Sequence, residues 1–273
     1  MRACILILLF GIGVQAQWLN YSDPETPRTK DGKVNLAAAV PHDSKGKPDL
    51  SGVWQAEGAP ISELMKILPA GVNGLGEDPP PLSFFNVLAA YRPEESPLRP
   101  QFAAEYQQRA AVALTAPPPA LCPPPPVPFA DSFPAPFKIV QTPKLTLMLF
   151  ESDTFFRQIF TDGRKHPADP QPSWLGYSVG KWQADSLVVE SVGFIPFGPL
   201  DIFGHPHSEA MRVTEQFRRR DFGHMDVQVT IDDSKVYAKP FTYNIALRLL
   251  PDSDLLESFC TENEKDAAHM AQR

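Results

Sequence analysis

Apolar and polar positions alternate one by one through much of the second half of the chain. In Met225-Asp-Val-Gln-Val-Thr-Ile231 the odd positions are apolar and the even ones polar, and Phe241-Thr-Tyr-Asn-Ile-Ala-Leu-Arg-Leu249 repeats the pattern. Successive side chains on a strand point to opposite faces, so each segment has one dry face and one wet face. The same reading of the stretch from Phe137 to Cys260 predicts nine strands. They are Phe137–Gln141, Leu145–Glu151, Phe155–Thr161, Tyr177–Gln183, Ser186–Val192, Met211–Arg219, His224–Asp232, Phe241–Leu250 and Leu255–Cys260. Asp162-Gly163, Ala184-Asp185, Asp221 to Gly223 and Pro251 to Asp254 supply turn chemistry between them. Nine short strands joined mostly in sequence predict a mainly β fold. An antiparallel up-and-down β-barrel fits better than a Greek-key sandwich.

The first half reads differently. The chain holds 31 prolines in 273 residues, against a usual share of about 5%, and they concentrate outside the strand-rich region. Residues 17–136 are therefore expected to form a Pro-rich, partly helical wrap on a barrel spanning 137–266, with 267–273 as a tail. Within the wrap, Asp49–Gln55 is a short apolar segment that can add a strand. Ile61–Leu68 reads as one or two helical turns ended by Pro69 and Gly71, and Leu82–Tyr91 as a short helix stopped before Pro93. Pro100–Leu114 is the strongest helix: Pro100 suits a first turn, and Phe102, Tyr106, Ala110 and Ala113 share one face. Pro117 to Pro119 and Pro123 to Pro126 force an extended course around Cys122.

Composition narrows the function classes. Hydrophobic residues make up 43% of the chain, enough to bury a real core, and a formal charge of −7 disfavours nucleic acid as a partner. Arg2, the apolar run Cys4 to Val14, and Val14-Gln15-Ala16 ahead of Gln17 fit a cleaved signal peptide over residues 1–16. That run is too short for a stop-transfer helix, so no stable membrane span is expected after cleavage. A secreted or periplasmic location follows. Cleavage leaves two cysteines, Cys122 and Cys260, which an oxidising compartment would join in one disulfide.

Several passages are familiar together: Gly176-Tyr-Ser-Val-Gly-Lys-Trp182, Pro206-His-Ser-Glu209, Asp221-Phe-Gly-His-Met225, Thr230-Ile-Asp-Asp233 and Glu262-Asn-Glu-Lys-Asp266. Over roughly Phe137 to Asp266 they resemble an uncharacterised family of secreted soil-bacterial proteins. That resemblance implies export and no particular activity. Separately and more loosely, Gly52-Val53-Trp54 resembles the lipocalin first-strand motif, which implies a lipocalin-like or calycin-like barrel.

Candidate chemistry gathers in three places. In Gly204-His-Pro-His-Ser-Glu209 an extended chain would point His205, His207 and Glu209 the same way. Two imidazoles and a carboxylate suit a divalent metal such as zinc or iron, with His224 as a further nitrogen ligand. The same cluster also reads as an acid/base pair of His207 and Glu209, or as a hydrogen-bonded loop end at the barrel mouth. In Arg212-Val-Thr-Glu-Gln-Phe-Arg-Arg219, Glu215 alternates with Val213 and Phe217, while Arg212 lies on the other face. An inward Glu215 would be a general acid or base, a ligand anchor, or half of a structural Glu–Arg pair. Tyr177, Trp182, Phe194, Phe197 and Phe203 are aromatics that either line a ligand cavity or fill an ordinary core.

Three functions compete on these residues. The first is a secreted or periplasmic barrel binding a small hydrophobic or amphipathic molecule, its cavity gated by Ile195–Glu209. The second is an enzyme on the same scaffold, using His207 and Glu209, with Glu215 and Arg212 as further candidates, or a His205/His207/Glu209 metal site. The third is a surface protein whose barrel is filled by its own side chains.

Overall fold

The structure, a computed structural model, describes residues 22–68, 79–114 and 124–259. Nine strands close into one barrel. They are β1 Gly52–Ala56, β2 Phe137–Gln141, β3 Leu145–Phe150, β4 Phe156–Phe160, β5 Tyr177–Gln183, β6 Ser186–Val192, β7 Arg212–Arg219, β8 His224–Asp232 and β9 Phe241–Leu249. Eight of these are strands expected from the alternation. The ninth expected strand, Leu255–Cys260, is not one: of its described residues only Ser258 makes a bridge, to Ser152. The closing place belongs to β1, which pairs antiparallel with β2 through Trp54 and Phe137 and with β9 through Trp54 and Leu249. Gly52 makes the approach feasible: its φ is +136°, and a Cβ there would stand 2.5 Å from Leu249 Cδ1.

The barrel is not antiparallel throughout. In a closed ring, antiparallel pairing at every seam requires an even number of strands. Nine strands therefore force one parallel pair, and it falls at β4 and β5. The connection of residues 161–176 carries the chain back along the barrel, which a two-residue hairpin cannot do. This seam is the shortest in the ring, with Ile159 opposite Ser178 and Phe160 opposite Val179. The β7–β8 and β8–β9 ladders run the full length of their strands.

Alternation decides what fills the interior. Val213 and Phe217 of β7, Met225, Val227, Val229 and Ile231 of β8, and Phe241, Ile245 and Leu247 of β9 are all buried. Each such large apolar side chain contributes about 1.5–3 kcal/mol on burial. At the lower rim, where β7 turns into β8, Leu50, Trp54 and Arg219 close the barrel. Trp54 Nε1 donates to Leu50 O at 2.9 Å, and the Arg219 guanidinium lies 5.0 Å over the indole. The gap left among Leu50, Ile139, Thr146, Met148, Ile159, Leu187 and Phe217 is too small for a water molecule.

The upper rim is closed by the wrap. Three helices form there: α1 Ile61–Ile67, α2 Leu82–Phe85 and α3 Pro100–Val112. Leu64 and Leu68, Phe85, and Phe203 from the β6–β7 connection make a second small core, on which Tyr106, Ala110 and Ala113 of α3 pack. The face of α3 expected from its spacing is thus the face that docks. One part of the wrap does more than cover the barrel: Val127 to Ser132 enters the mouth, with Val127, Ala130, Asp131 and Ser132 at most 1% exposed.

Among the described residues no helix is long and apolar enough to cross a membrane. The proposed signal segment and both Cys122 and Cys260 lie outside the described residues.

Candidate functional site

Two polar constellations sit at or inside the upper half of the barrel. The inner one is built by strand parity. On β4, Arg157 alternates with Ile159 and so points inward; on β7, Glu215 lies between inward Val213 and Phe217. The guanidinium and the carboxylate meet as a two-pronged pair, Nη1 to Oε1 at 3.0 Å and Nη2 to Oε2 in close contact. Arg157 also donates from Nε to Ser178 Oγ at 3.2 Å and from Nη2 to Ser191 Oγ at 3.0 Å. The two serines hold each other at 2.8 Å. One side chain thereby ties β4, β5, β6 and β7 from within, across the short parallel seam.

A second carboxyl comes from the mouth segment. Asp131 Oδ2 receives Arg157 Nη1 at 3.4 Å, so its carboxyl shares that nitrogen with Glu215. Burial pushes the Asp131 pKa well above the carboxylate range, and the Glu215 charge adds to this; Arg157 offsets only part. One guanidinium balances one carboxylate in a dry interior, so the second carboxyl keeps its proton. Arg157 stays charged: burial opposes its charge, and the two carboxyl groups outweigh it. Among the described residues two polar atoms here have no hydrogen-bond partner, Asp131 Oδ1 and Tyr243 Oη. Tyr243 shares a row with Glu215 through Val229, and burial followed by the Glu215 charge raises its phenol pKa.

The outer constellation lies in the β6–β7 connection. Asp201 is fully buried and accepts from Val87 N at 2.8 Å, Gly204 N at 2.9 Å and His205 N at 3.1 Å. Its Oδ2 also holds His205 Nδ1 at 2.5 Å. Tyr106 of α3 covers that imidazole, ring centroids 4.1 Å apart, and burial followed by the Asp201 charge pushes the phenol up to about 12. Gly204 permits the fit: its φ is +90°, and a Cβ would stand 2.7 Å from Arg109 Cβ. His207 is buried separately, with Nε2 3.3 Å from Phe197 O and Nδ1 3.3 Å from Ser208 O. Burial depresses its pKa despite those carbonyls.

The residues singled out in the sequence scatter. His205 and His207 are neighbours in the loop, but their rings have different partners. Glu209 sits on the surface against Lys235. His224 lies at the opposite rim, its Nδ1 2.8 Å from Asp221. No group of three or more His, Cys, Asp or Glu side chains among the described residues is placed to hold a metal. Arg212 pairs with Glu190 on the outer wall, away from Glu215. Of the aromatics, Phe194 belongs to the main core and Phe203 to the second one. Trp182 packs against the main core from the rim, and Phe197 is 57% exposed beside Trp174. Tyr177 faces outward, stacked on Phe160 and bonded to Arg164. These five do not converge on one cavity.

Arg157, Asp131, Tyr243, Asp201 and Tyr106 were not singled out as site residues from the sequence. Arg157 was within reach of the alternation argument, as the only cation in Phe156-Arg-Gln-Ile-Phe160. Asp131, the one acid in a run of apolar and proline residues, was a second signal. A cleft of about 430 Å³ at the lower rim is lined by Asp49, Gly52, Lys138, Arg219, Asp252 and neighbours. Its cations are already committed: Lys138 to Asp254 and Arg219 to the Asp49 carbonyl at 2.5 Å, while Asp252 is held by Arg28. No family model, curated protein or solved structure matches this chain.

Proposed function

We propose that this chain is an exported barrel that binds a small hydrophobic or amphipathic molecule, with its own Val127–Ser132 segment holding the site when the molecule is absent. The observation that carries this reading is the pair of unpartnered polar atoms, Asp131 Oδ1 and Tyr243 Oη, buried where the mouth segment meets the charged pair inside. Each buried polar group without a partner costs about 1–3 kcal/mol. A barrel filled only for stability gains nothing from them, and an apolar filling of the same shape would serve it better. A site that must open and accept a guest has reason to keep them.

The backbone of the mouth segment is held by its own turn. Its 3₁₀ turn is held by Ala130 N to Pro126 O at 3.2 Å, Asp131 N to Pro128 O at 3.1 Å and Ser132 N to Phe129 O at 3.0 Å. No ladder joins it to a strand among the described residues. Export is part of the proposal and rests on the signal-peptide pattern and on the resemblance to secreted soil-bacterial proteins. A Cys122–Cys260 bond would follow from it.

Native-state hydrogen exchange, with N-phenyl-1-naphthylamine as an apolar fluorescent probe, tests the reading. The amides of Ala130 to Ser132 should exchange by local opening, far faster than those of Val227 and Val229 in β8. The probe should bind one per chain, and more tightly to Phe129→Ala, which removes the ring that wedges the segment against Phe84. Exchange of the segment only with global unfolding, together with no saturable probe binding in either protein, would sink the proposal.

A further inference from the structure

The mouth segment is chemically an amphipath, and its composition describes a guest. Val127 and Ala130 join the main core, and the same side of the turn ends in the Asp131 carboxyl. The opposite side faces α2: Phe129 lies 5.7 Å from Phe84 between ring centroids, and Ser132 Oγ lies 3.0 Å from Ser83 Oγ. An apolar body tipped by one carboxyl is therefore what the upper barrel already holds.

The partners of that carboxyl restrict its charge. Arg157 and Glu215 are complete as a pair, every guanidinium nitrogen being engaged by Glu215, Ser178 or Ser191. Their charges cancel. A third group beside them must donate to Glu215 and bring no net charge, because an extra anion in a dry interior has nothing to balance it. The titratable groups facing this position are Arg157 on β4, Glu215 on β7 and Tyr243 on β9. The Tyr243 hydroxyl has no partner and can serve a second head-group oxygen.

We infer that the guest is an apolar monocarboxylic acid taken up in its neutral form, its carboxyl replacing that of Asp131 beside Arg157 and Glu215 and its tail replacing Val127 and Ala130. This rests on the ligand-binding reading above. The guest takes up one proton on entering, and the Asp131 carboxyl that it displaces gives one up to solvent, so in the native chain the exchange is close to proton-neutral.

Calorimetric titration of the native chain with octanoic acid, 1-octanol and octanesulfonate between about pH 5 and about pH 8 separates the possibilities. The octanoic acid affinity of the native chain should be nearly flat across this range, whereas in Asp131→Ala, which has no internal proton to release, it should fall about tenfold per pH unit, the slope of one linked proton. Affinity for 1-octanol should rise with pH in the native chain, because the displaced Asp131 ionises, and octanesulfonate, an anion throughout, should not bind. Sulfonate binding comparable to the acid, or an acid affinity of Asp131→Ala that does not fall with pH, would overturn the inference. Binding of 1-octanol without octanoic acid at any pH would remove the acid and leave the barrel reading standing. Failure of all three would remove both. Asp131→Ala, with its fold checked by circular dichroism, deletes the internal head group and should tighten octanoic acid several-fold. Unchanged or weaker binding by that folded variant would contradict the place-holder role.

Discussion

Replacing Arg157 with Met should be among the most damaging single changes in this chain, although it exchanges one long side chain for another. Arg157 and Glu215 are each at most 1% exposed, so solvent cannot rescue either partner. Removing the guanidinium deletes the contacts to Glu215, Ser178, Ser191 and Asp131. The serines keep each other at 2.8 Å and lose little. Glu215 is left as an uncompensated carboxylate, a situation that costs about 3–5 kcal/mol. Set against a total stability of about 5–15 kcal/mol, that is about a fifth of the fold or more. The double variant Arg157→Met/Glu215→Leu should regain most of the loss, because replacing a whole buried pair with apolar groups is often neutral. Urea unfolding followed by tryptophan fluorescence gives both numbers. A single-variant loss under about 1 kcal/mol, or a double variant no better than the single, would refute the idea that the two charges depend on each other.

Two further outcomes follow from the same interior. The folded-state pKa of Asp131 is raised, so its contribution is complete below its unfolded value of about 3.9 and is lost as pH rises through the folded value. Asp131→Asn mimics the protonated acid and should gain on the native chain as pH increases in a denaturation series; a constant difference would contradict the assignment. For His207 the sign is opposite. Burial lowers its pKa, so stability present above its unfolded value of about 6.5 is lost as pH falls through the folded one. His207→Gln should flatten that acid limb, and a limb of unchanged slope would show that the ring does not titrate with unfolding.

The barrel was legible in the sequence because alternation is a local signal. Each residue of β7, β8 and β9 declares its face by its neighbours two positions away, and the observed bounds follow the pattern closely. Ring closure is not local. Nothing in Leu255–Cys260 or in Gly52–Ala56 alone tells which one lies between β9 and β2, and the parallel seam follows only from the count of strands in a closed ring. The site was legible in part. Parity put Glu215 on the face of Val213 and Phe217 without deciding which face is inward; its partner Arg157 lies 58 residues away on another strand, and Asp131 reaches it from outside the strand region. The loop histidines illustrate the converse. Residues i and i+2 share a side only in an extended strand, and around Gly204 and Pro206 the backbone is a loop, so His205 turns to Asp201 while His207 turns to Phe197.

The position of β1 also sets an order of events. It is synthesised first among the strands, yet its partners are β2, more than eighty residues later, and β9, near the end of the described chain. Closing loops of that length is entropically unfavourable until the rest of the sheet exists to reward it. The meander β2 to β9 is therefore expected to assemble as an open sheet with two unpaired edges, and β1 to slot between them last. Until it does, those edges are templates for pairing with another chain. Both edge strands carry a cation, Lys138 on β2 and Arg248 on β9, each directly opposite β1 in the finished barrel. Charges of this kind discourage self-association, so the last strand to dock finds its place guarded against other copies of the same sequence.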